Sequence, residues 1–151
     1  MLKEYYSKDK RIANRNQLNA IDLINQNLIQ TDGILAFIIH HLETNKRFNF
    51  DVEIIRDTFY NVETLINESY TILHNSFKTT HLLSLIYDTE QQLAQARGTM
   101  AFLIHHLEEN GKFIFDHNVL GSVLWNIETL TNKTKKSLDG VFNLNGGGSN
   151  E

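Results

Sequence analysis

The sequence predicts an all-α fold in which two helical hairpins form an antiparallel four-helix bundle with pseudo-twofold symmetry. Three observations support this prediction. The 151 residues include no proline, which permits long uninterrupted helices. Apolar residues recur at three- and four-residue spacing over stretches of about 25 residues, as they do on amphipathic helices. The third observation is an internal repeat, which indicates two related hairpins.

The repeat relates residues 28–67 to residues 93–132 at a constant offset of 65, without a gap. Of the 40 paired positions, 19 are identical. A unit of this length present twice indicates a pseudo-twofold domain, because solenoids need about three repeats or more. We expect one compact domain with four parts along the chain: a polar N-terminal arm or short helix (1–16), two hairpins (17–78 and 79–140) and a disordered tail (141–151).

Each unit is predicted to contain a helix, a short connection and a second helix. In the first unit the apolar pattern of the first helix ends near Asn45, and two phenylalanines follow before Asp51. Asp51 and its counterpart Asp116 are expected N-caps, because a short carboxylate accepts hydrogen bonds from free backbone N–H groups. The second helix is predicted from about residue 52 to residue 74.

The first and third helices carry small and apolar residues on two sides, whereas the second and fourth are apolar on one side. The second side of these helices presents the same residues in both units: Gly33, Phe37 and His40, then Gly98, Phe102 and His105. A glycine inside a helix costs about 1 kcal/mol relative to alanine, so keeping it twice indicates close approach by another backbone. We expect a homodimer seam or a docking face here. The alternatives are burial inside the bundle, cover by the N-terminal arm, or a ligand crevice.

Tyr60 and Trp125 occupy one matched position on the polar side of the second and fourth helices. Tyrosine and tryptophan are enriched at the energetic centres of protein interfaces, so both are predicted to contribute to an interface. The alternative is that each ring lies across the edge of its helix and covers the core.

The motif His-His-Leu-Glu occurs in both units and supplies the candidate metal ligands His40 and Glu43, and His105 and Glu108. Di-iron bundles use Glu-x-x-His pairs that face the core. Here the order is reversed, and both first histidines point away from the main apolar stripe. We therefore expect no metal or other cofactor. A metal-binding or small-ligand-binding bundle built on these pairs, with Zn²⁺ at an interface, is the alternative.

Composition excludes several classes of function. The chain has no cysteine, which excludes disulfide scaffolds, thiolate zinc fingers and a cysteine nucleophile. It has no glycine-rich phosphate loop and no Ser–His–acid motif, so we expect no enzyme activity. The net charge of −4 argues against a nucleic-acid partner, although weak binding through the basic arm is an alternative. No apolar run approaches the length of a membrane span, so we expect a cytoplasmic protein without membrane contact.

These observations predict a small non-catalytic helical interaction protein. A regulator, an inhibitor or an accessory factor fits, including one encoded by a mobile element or a phage. We expect it to dock helix faces on a partner protein and to form a homodimer through the first and third helices.

Overall fold

The computed structural model describes residues 14–78 and 83–146, with side chains described for 14–78 and 86–140. This part of the chain consists of four helices and contains no strand, which confirms the all-α class. The helices are α1 (Arg15–Asn45), α2 (Val52–Phe77), α3 (Leu83–Asn110) and α4 (His117–Gly146). At 26 to 31 residues each, they are about 40–46 Å long.

The start of α1 is fixed by a capping box. The Asn14 side chain accepts a hydrogen bond from the backbone N–H of Gln17 at 2.9 Å, and the Gln17 side chain accepts one from the backbone N–H of Asn14 at 2.9 Å. The Gln17 amide also donates to the carbonyl of Ser76 near the end of α2, at 3.3 Å. Residues 14–16 therefore belong to the start of α1 and not to the arm, and the rest of the expected arm lies outside the described residues.

The predicted caps of the second helix in each unit are confirmed. Asp51 accepts hydrogen bonds from the backbone N–H groups of Glu53 and Ile54, at 2.9 and 3.3 Å. Asp116 accepts one from the backbone N–H of Val119 at 2.9 Å. Each carboxylate satisfies donors that the first turn of a helix leaves without a partner.

The ends of α1 and α3 are alike in geometry but differ in residue. Lys46 and its counterpart Gly111 both adopt a left-handed backbone, with φ of 56° and 66°. Their N–H groups donate to the carbonyls of Leu42 and Leu107, at 2.9 and 2.8 Å. Glycine adopts this conformation without steric cost, whereas the lysine side chain is placed there against its preference.

The helices contact one another in a ring: α1 with α2, α2 with α3, α3 with α4, and α4 with α1. Among the described residues, α1 and α3 make no contact and so lie diagonally across the bundle. The core lies between the four helices, and its fully buried side chains follow the predicted main stripes. They include Ile24, Leu28, Leu35, Phe59, Ile66, Leu93, Met100, Leu103, Leu124 and Ile127.

Two helices run beyond their predicted ends. The second helix continues past residue 74 to Phe77, because that side chain is fully buried and extends the apolar stripe. The fourth helix continues to Gly146, so residues 141–146 are helical, and the rest of the expected tail lies outside the described residues. A single glycine such as Gly140 does not stop a helix. No helix in the described ranges is long and apolar enough to cross a bilayer.

The cap geometry makes a specific prediction for stability. Replacing Asp51 with alanine leaves two N–H groups without their acceptor and is expected to lower the free energy of unfolding by about 1 kcal/mol. Asp51→Asn retains an acceptor of the same length and should cost only a few tenths of that value. Urea denaturation followed by circular dichroism measures both. Equal losses in the two variants would show that the cap is not what the carboxylate contributes.

Candidate functional site

The repeated residues on the second side of α1 and α3 lie at the surface. Phe37 is 64% exposed and Phe102 is 54% exposed, and both glycines of this side are exposed. A Cβ atom added at Gly33 or at Gly98 would meet nothing within 4 Å. Burial of this side inside the bundle is therefore not what the structure shows. Internal packing does not explain the two glycines either.

An apolar groove of about 570 Å³ runs between α1 and α2 on this side; we call it the hairpin-1 groove. Phe37 stands on its α1 wall, and Ile54, which is 64% exposed, stands on its α2 wall. Its lining consists of Gln30, Gly33, Ile34, Phe37 and Ile38 from α1, Phe50 from the connection, and Ile54, Ile55 and Thr58 from α2. Only Gln30 and Thr58 bring polar side chains, so the groove presents an almost continuous apolar surface to solvent.

The matching surface of the second hairpin is more polar. A depression of about 420 Å³ between α3 and α4 is lined by Thr99, Asn118, Val119, Ser122, Val123 and Asn126. At the offset of 65, Thr99 stands where α1 has Ile34, and Val119 stands where α2 has Ile54. The two hairpins therefore present related faces of different polarity.

These two faces point to opposite sides of the bundle. The α1–α2 side and the α3–α4 side are opposite sides of the ring of contacts. Phe37 belongs to the first side and Phe102 to the second. A single seam through both the first and the third helix would have to contain both faces, and this arrangement does not allow it.

The connections between helices form an aromatic cluster at one end of the bundle. Phe48 packs edge-on against Phe113, its own counterpart, with ring centroids 4.8 Å apart. Each connection also packs an imidazole against a phenylalanine with centroids 4.2 Å apart: His41 against Phe50, and His106 against Phe115. These contacts hold each connection against the end of the helix that precedes it, α1 or α3.

Sequence reasoning missed this role of the second histidine in each pair. His41 and His106 are half-buried, whereas His40 and His105 are exposed. The backbone N–H of Ile114 donates to Nε2 of His106 at 3.3 Å, which ties the connection to α3. The sequence feature that could have indicated this role is the pair of histidines followed by two phenylalanines in the connection, which occurs in both units.

The candidate metal ligands are not brought together. His105 Nε2 lies 3.1 Å from the carboxylate of Glu109, a different residue from the expected partner Glu108. Within the described residues, no group of three or more His, Cys, Asp or Glu side chains is placed to hold a metal ion. The pair His40 and Glu43 likewise gains no third ligand there.

Tyr60 and Trp125 both lie where two neighbouring helices pack together, a boundary that we call a helix seam. Both rings are exposed. The Tyr60 hydroxyl donates to the carboxylate of Glu108 and so links α2 to α3. This hydrogen bond raises the pKa of the Tyr60 hydroxyl, and partial burial and the negative charges of Glu108 and Glu63 act in the same direction. Trp125 is 62% exposed beside the seam between α4 and α1.

The seam between α1 and α4 contains a cluster of charges that sequence reasoning also missed. Lys135 pairs with Asp32, and the Thr131 hydroxyl donates to the same carboxylate. Burial raises the pKa of the nearby Glu128 carboxyl, the charge of Asp32 raises it further, and Lys135 opposes the rise. Charged residues on the exposed side of an amphipathic pattern gave no signal for this arrangement.

The seam between α2 and α3 has different contacts at the equivalent positions. Arg97, the counterpart of Asp32, donates to the side chain of Asn67 at 3.0 Å. Its guanidinium also lies over the ring of Tyr70, the counterpart of Lys135, at 4.7 Å from the centroid. An ion pair at one seam thus corresponds to a cation–π contact at the other.

No protein-family model, curated protein or solved structure matches this chain.

The raised pKa of Glu128 predicts a pH dependence of stability. A carboxyl whose pKa is higher in the folded than in the unfolded protein lowers stability as the pH rises above its ordinary value of about 4.5. Glu128→Gln should therefore stabilise the protein at pH 7 and leave its stability unchanged at about pH 3, where the carboxyl is protonated in both states. Thermal unfolding across this range measures the effect.

The matched control is Glu63→Gln in the other unit, where the counterpart of Asp32 is the cation Arg97. This variant is not expected to be stabilised at pH 7. Equal stabilisation by the two substitutions would contradict the role of Asp32.

Proposed function

We propose that this protein is a small non-catalytic interaction protein that acts as a homodimer, with the hairpin-1 groove of one copy seated on the same face of a second copy. The observation that carries the proposal is the exposed, almost wholly apolar groove between α1 and α2. A surface of this kind on a soluble domain marks an interaction site more often than free surface.

The groove is complementary to itself. Gly33 and Phe37 lie one turn apart on the same side of α1, so the helix presents a hole and a projecting ring about 6 Å apart. In a twofold pairing of two copies, Phe37 of each copy would lie over Gly33 of the other, as an isologous interface requires. The absence of a side chain at Gly33 would let the two helices approach closely, which accounts for a glycine that internal packing does not need.

The free energy that we expect dimerisation to gain is moderate. Three large side chains of this face are more than half exposed in one copy: Ile29, Phe37 and Ile54. Full burial of one such side chain is worth roughly 1.5–3 kcal/mol, so six of them supply on the order of 10 kcal/mol before the cost of association. We therefore expect a dissociation constant of about 1–100 μM.

The proposal includes an antiparallel bundle with a pseudo-twofold axis between Phe48 and Phe113. The contact between these two counterparts supports it, because a residue can touch its own counterpart only beside such an axis. The matching ring contacts of the two connections, both at 4.2 Å, support it too. In this arrangement the more polar face of the second hairpin stays free in the dimer. A cytoplasmic regulator, inhibitor or accessory factor would have that side available for its partner.

The dimer is tested by sedimentation equilibrium over a range of protein concentrations. Phe37→Glu is expected to give a folded monomer, since the ring is exposed and contributes little to the core. Phe102→Glu is the matched control on the opposite face and should leave the dimer intact. Circular dichroism checks that both variants fold.

Gly33→Leu separates association from folding. Leucine improves helix propensity by nearly 1 kcal/mol and its Cβ atom meets nothing within 4 Å in the monomer, so the fold should be as stable as before or more stable. The dimer should nevertheless dissociate, because the two helices can no longer approach. A monomeric wild-type protein, or equal dissociation by Phe37→Glu and Phe102→Glu, would overturn the proposal.

A further inference from the structure

A polar pocket of about 370 Å³ lies at the seam between the end of α1 and the start of α4; we call it the α1–α4 pocket. Ile39 and Leu42 are the buried apolar residues that line it, and Glu43 and Lys46 line its α1 side. On the α4 side it is lined by His117, Gly121 and Trp125, among others. The pocket is on a different side of the ring from the hairpin-1 groove.

The equivalent seam of the other unit contains a charged side chain that this pocket lacks. At the offset of 65, Glu43 corresponds to Glu108, Trp125 to Tyr60, and Gly121 to Arg56. In the seam between α2 and α3, Tyr60 donates to Glu108. Arg56 stands beside this contact, near enough for its charge to act on the Tyr60 hydroxyl, and its Nε lies 3.7 Å from the carboxylate of Asp57. That seam therefore contains a carboxylate, an aromatic ring and a guanidinium. The α1–α4 pocket has the carboxylate and the ring, but a glycine in place of the arginine.

The space left by the missing arginine is open. A Cβ atom added at Gly121 would meet nothing within 4 Å. Within the described part of the chain, the Glu43 carboxylate has neither a hydrogen-bond nor an ion-pair partner. A flat aromatic face and a free carboxylate next to empty space are the two groups that recognise a guanidinium best, through cation–π contact and paired N–H···O hydrogen bonds.

We propose that the α1–α4 pocket binds the side chain of an arginine presented by a partner protein, with Glu43 accepting its hydrogen bonds and Trp125 covering its planar face. The partner would place a guanidinium at the position where the other unit has Arg56. This site is independent of the proposed dimer, since none of its lining residues lies in the hairpin-1 groove.

Lys46 is the charge that opposes this binding, and it makes the proposal easy to test. Its counterpart is Gly111, so the α1–α4 seam has a lysine where the other has none. The lysine side chain is long and flexible and forms no ion pair with Glu43 in the structure. If the pocket takes a cation, removing Lys46 strengthens binding. If Lys46 and His117 instead make it a site for anions, removing Lys46 weakens binding.

Trp125 is the single tryptophan of the chain, so tryptophan fluorescence, excited selectively over tyrosine, reports on this pocket. The full chain is titrated with a blocked Gly-Arg-Gly peptide, and with the same peptide carrying citrulline, which has the shape of arginine without its charge. We expect a saturable change with arginine and at least tenfold weaker binding of citrulline. Glu43→Gln should weaken arginine binding at least tenfold, and Lys46→Ala should strengthen it.

Three results would overturn the proposal. One is equal binding of the citrulline and arginine peptides. Another is the lack of a saturable response up to about 10 mM peptide. The third is preferential binding of a matching Gly-Asp-Gly peptide that is lost in Lys46→Ala, which would assign an anion site instead.

An internal arginine gives a second measurement that needs no peptide. Gly121→Arg restores the residue of the other seam and is expected to fill the pocket and abolish the fluorescence response. Its melting temperature should exceed that of Gly121→Met, which matches it in helix propensity but lacks charge. The difference should vanish when Glu43→Gln is added. Equal melting temperatures of Gly121→Arg and Gly121→Met would count against a guanidinium site.

The failure of this inference can be told apart from failure of the proposed dimer. Phe37→Glu changes the hairpin-1 groove and leaves the α1–α4 pocket intact. This variant should therefore keep the full response to the arginine peptide, whether or not the wild-type protein dimerises.

Discussion

Each helix of this protein contacts two neighbours and lies diagonally to the third, and this ring of contacts decides which residues can be buried. A helix in such a ring faces the shared core with one stripe of its surface. The main stripes of all four helices fill that core. The second stripe on α1 and α3 has no place inside, because the diagonal helix is out of reach and both neighbours already pack beside the core. Its exposure follows from the architecture, and so does the separation of Phe37 and Phe102 onto opposite sides.

The two units share a sequence pattern but differ in residues at which neighbouring helices meet. Asp32 pairs with Lys135 at one seam, whereas Arg97 lies over Tyr70 at the other. Both contacts attract neighbouring helices to each other, one as an ion pair and the other as a cation–π contact. Core positions differ as well, since the buried residues Ile24, Phe59 and Ile66 correspond to the buried residues Thr89, Leu124 and Thr131. Each unit therefore has its own packing as well as its own surface.

At one of the positions where neighbouring helices meet, a long charged side chain, Arg56, corresponds to a glycine, Gly121. The pocket beside Gly121 is lined by a carboxylate and an indole, whose counterparts in the other unit are joined through a tyrosine hydroxyl. The repeat in the sequence thus provides an internal comparison. At one seam the aromatic residue, Tyr60, contacts the carboxylate, and at the other the equivalent residue, Trp125, lines an open pocket.

Sequence alone determined the class of fold, the number of helices, the repeat, the caps Asp51 and Asp116, and the main apolar stripes. These properties depend on residues close together in the chain, whose spacing maps directly onto helix geometry. It also identified Phe37 and Phe102 as apolar residues outside the main stripe. Only the tertiary structure decided that these rings are exposed and on opposite sides, and that His41 and His106 hold the connections. It alone placed Glu43, Gly121 and Trp125 around one pocket, because this arrangement joins residues about 80 positions apart and depends on which helices are neighbours.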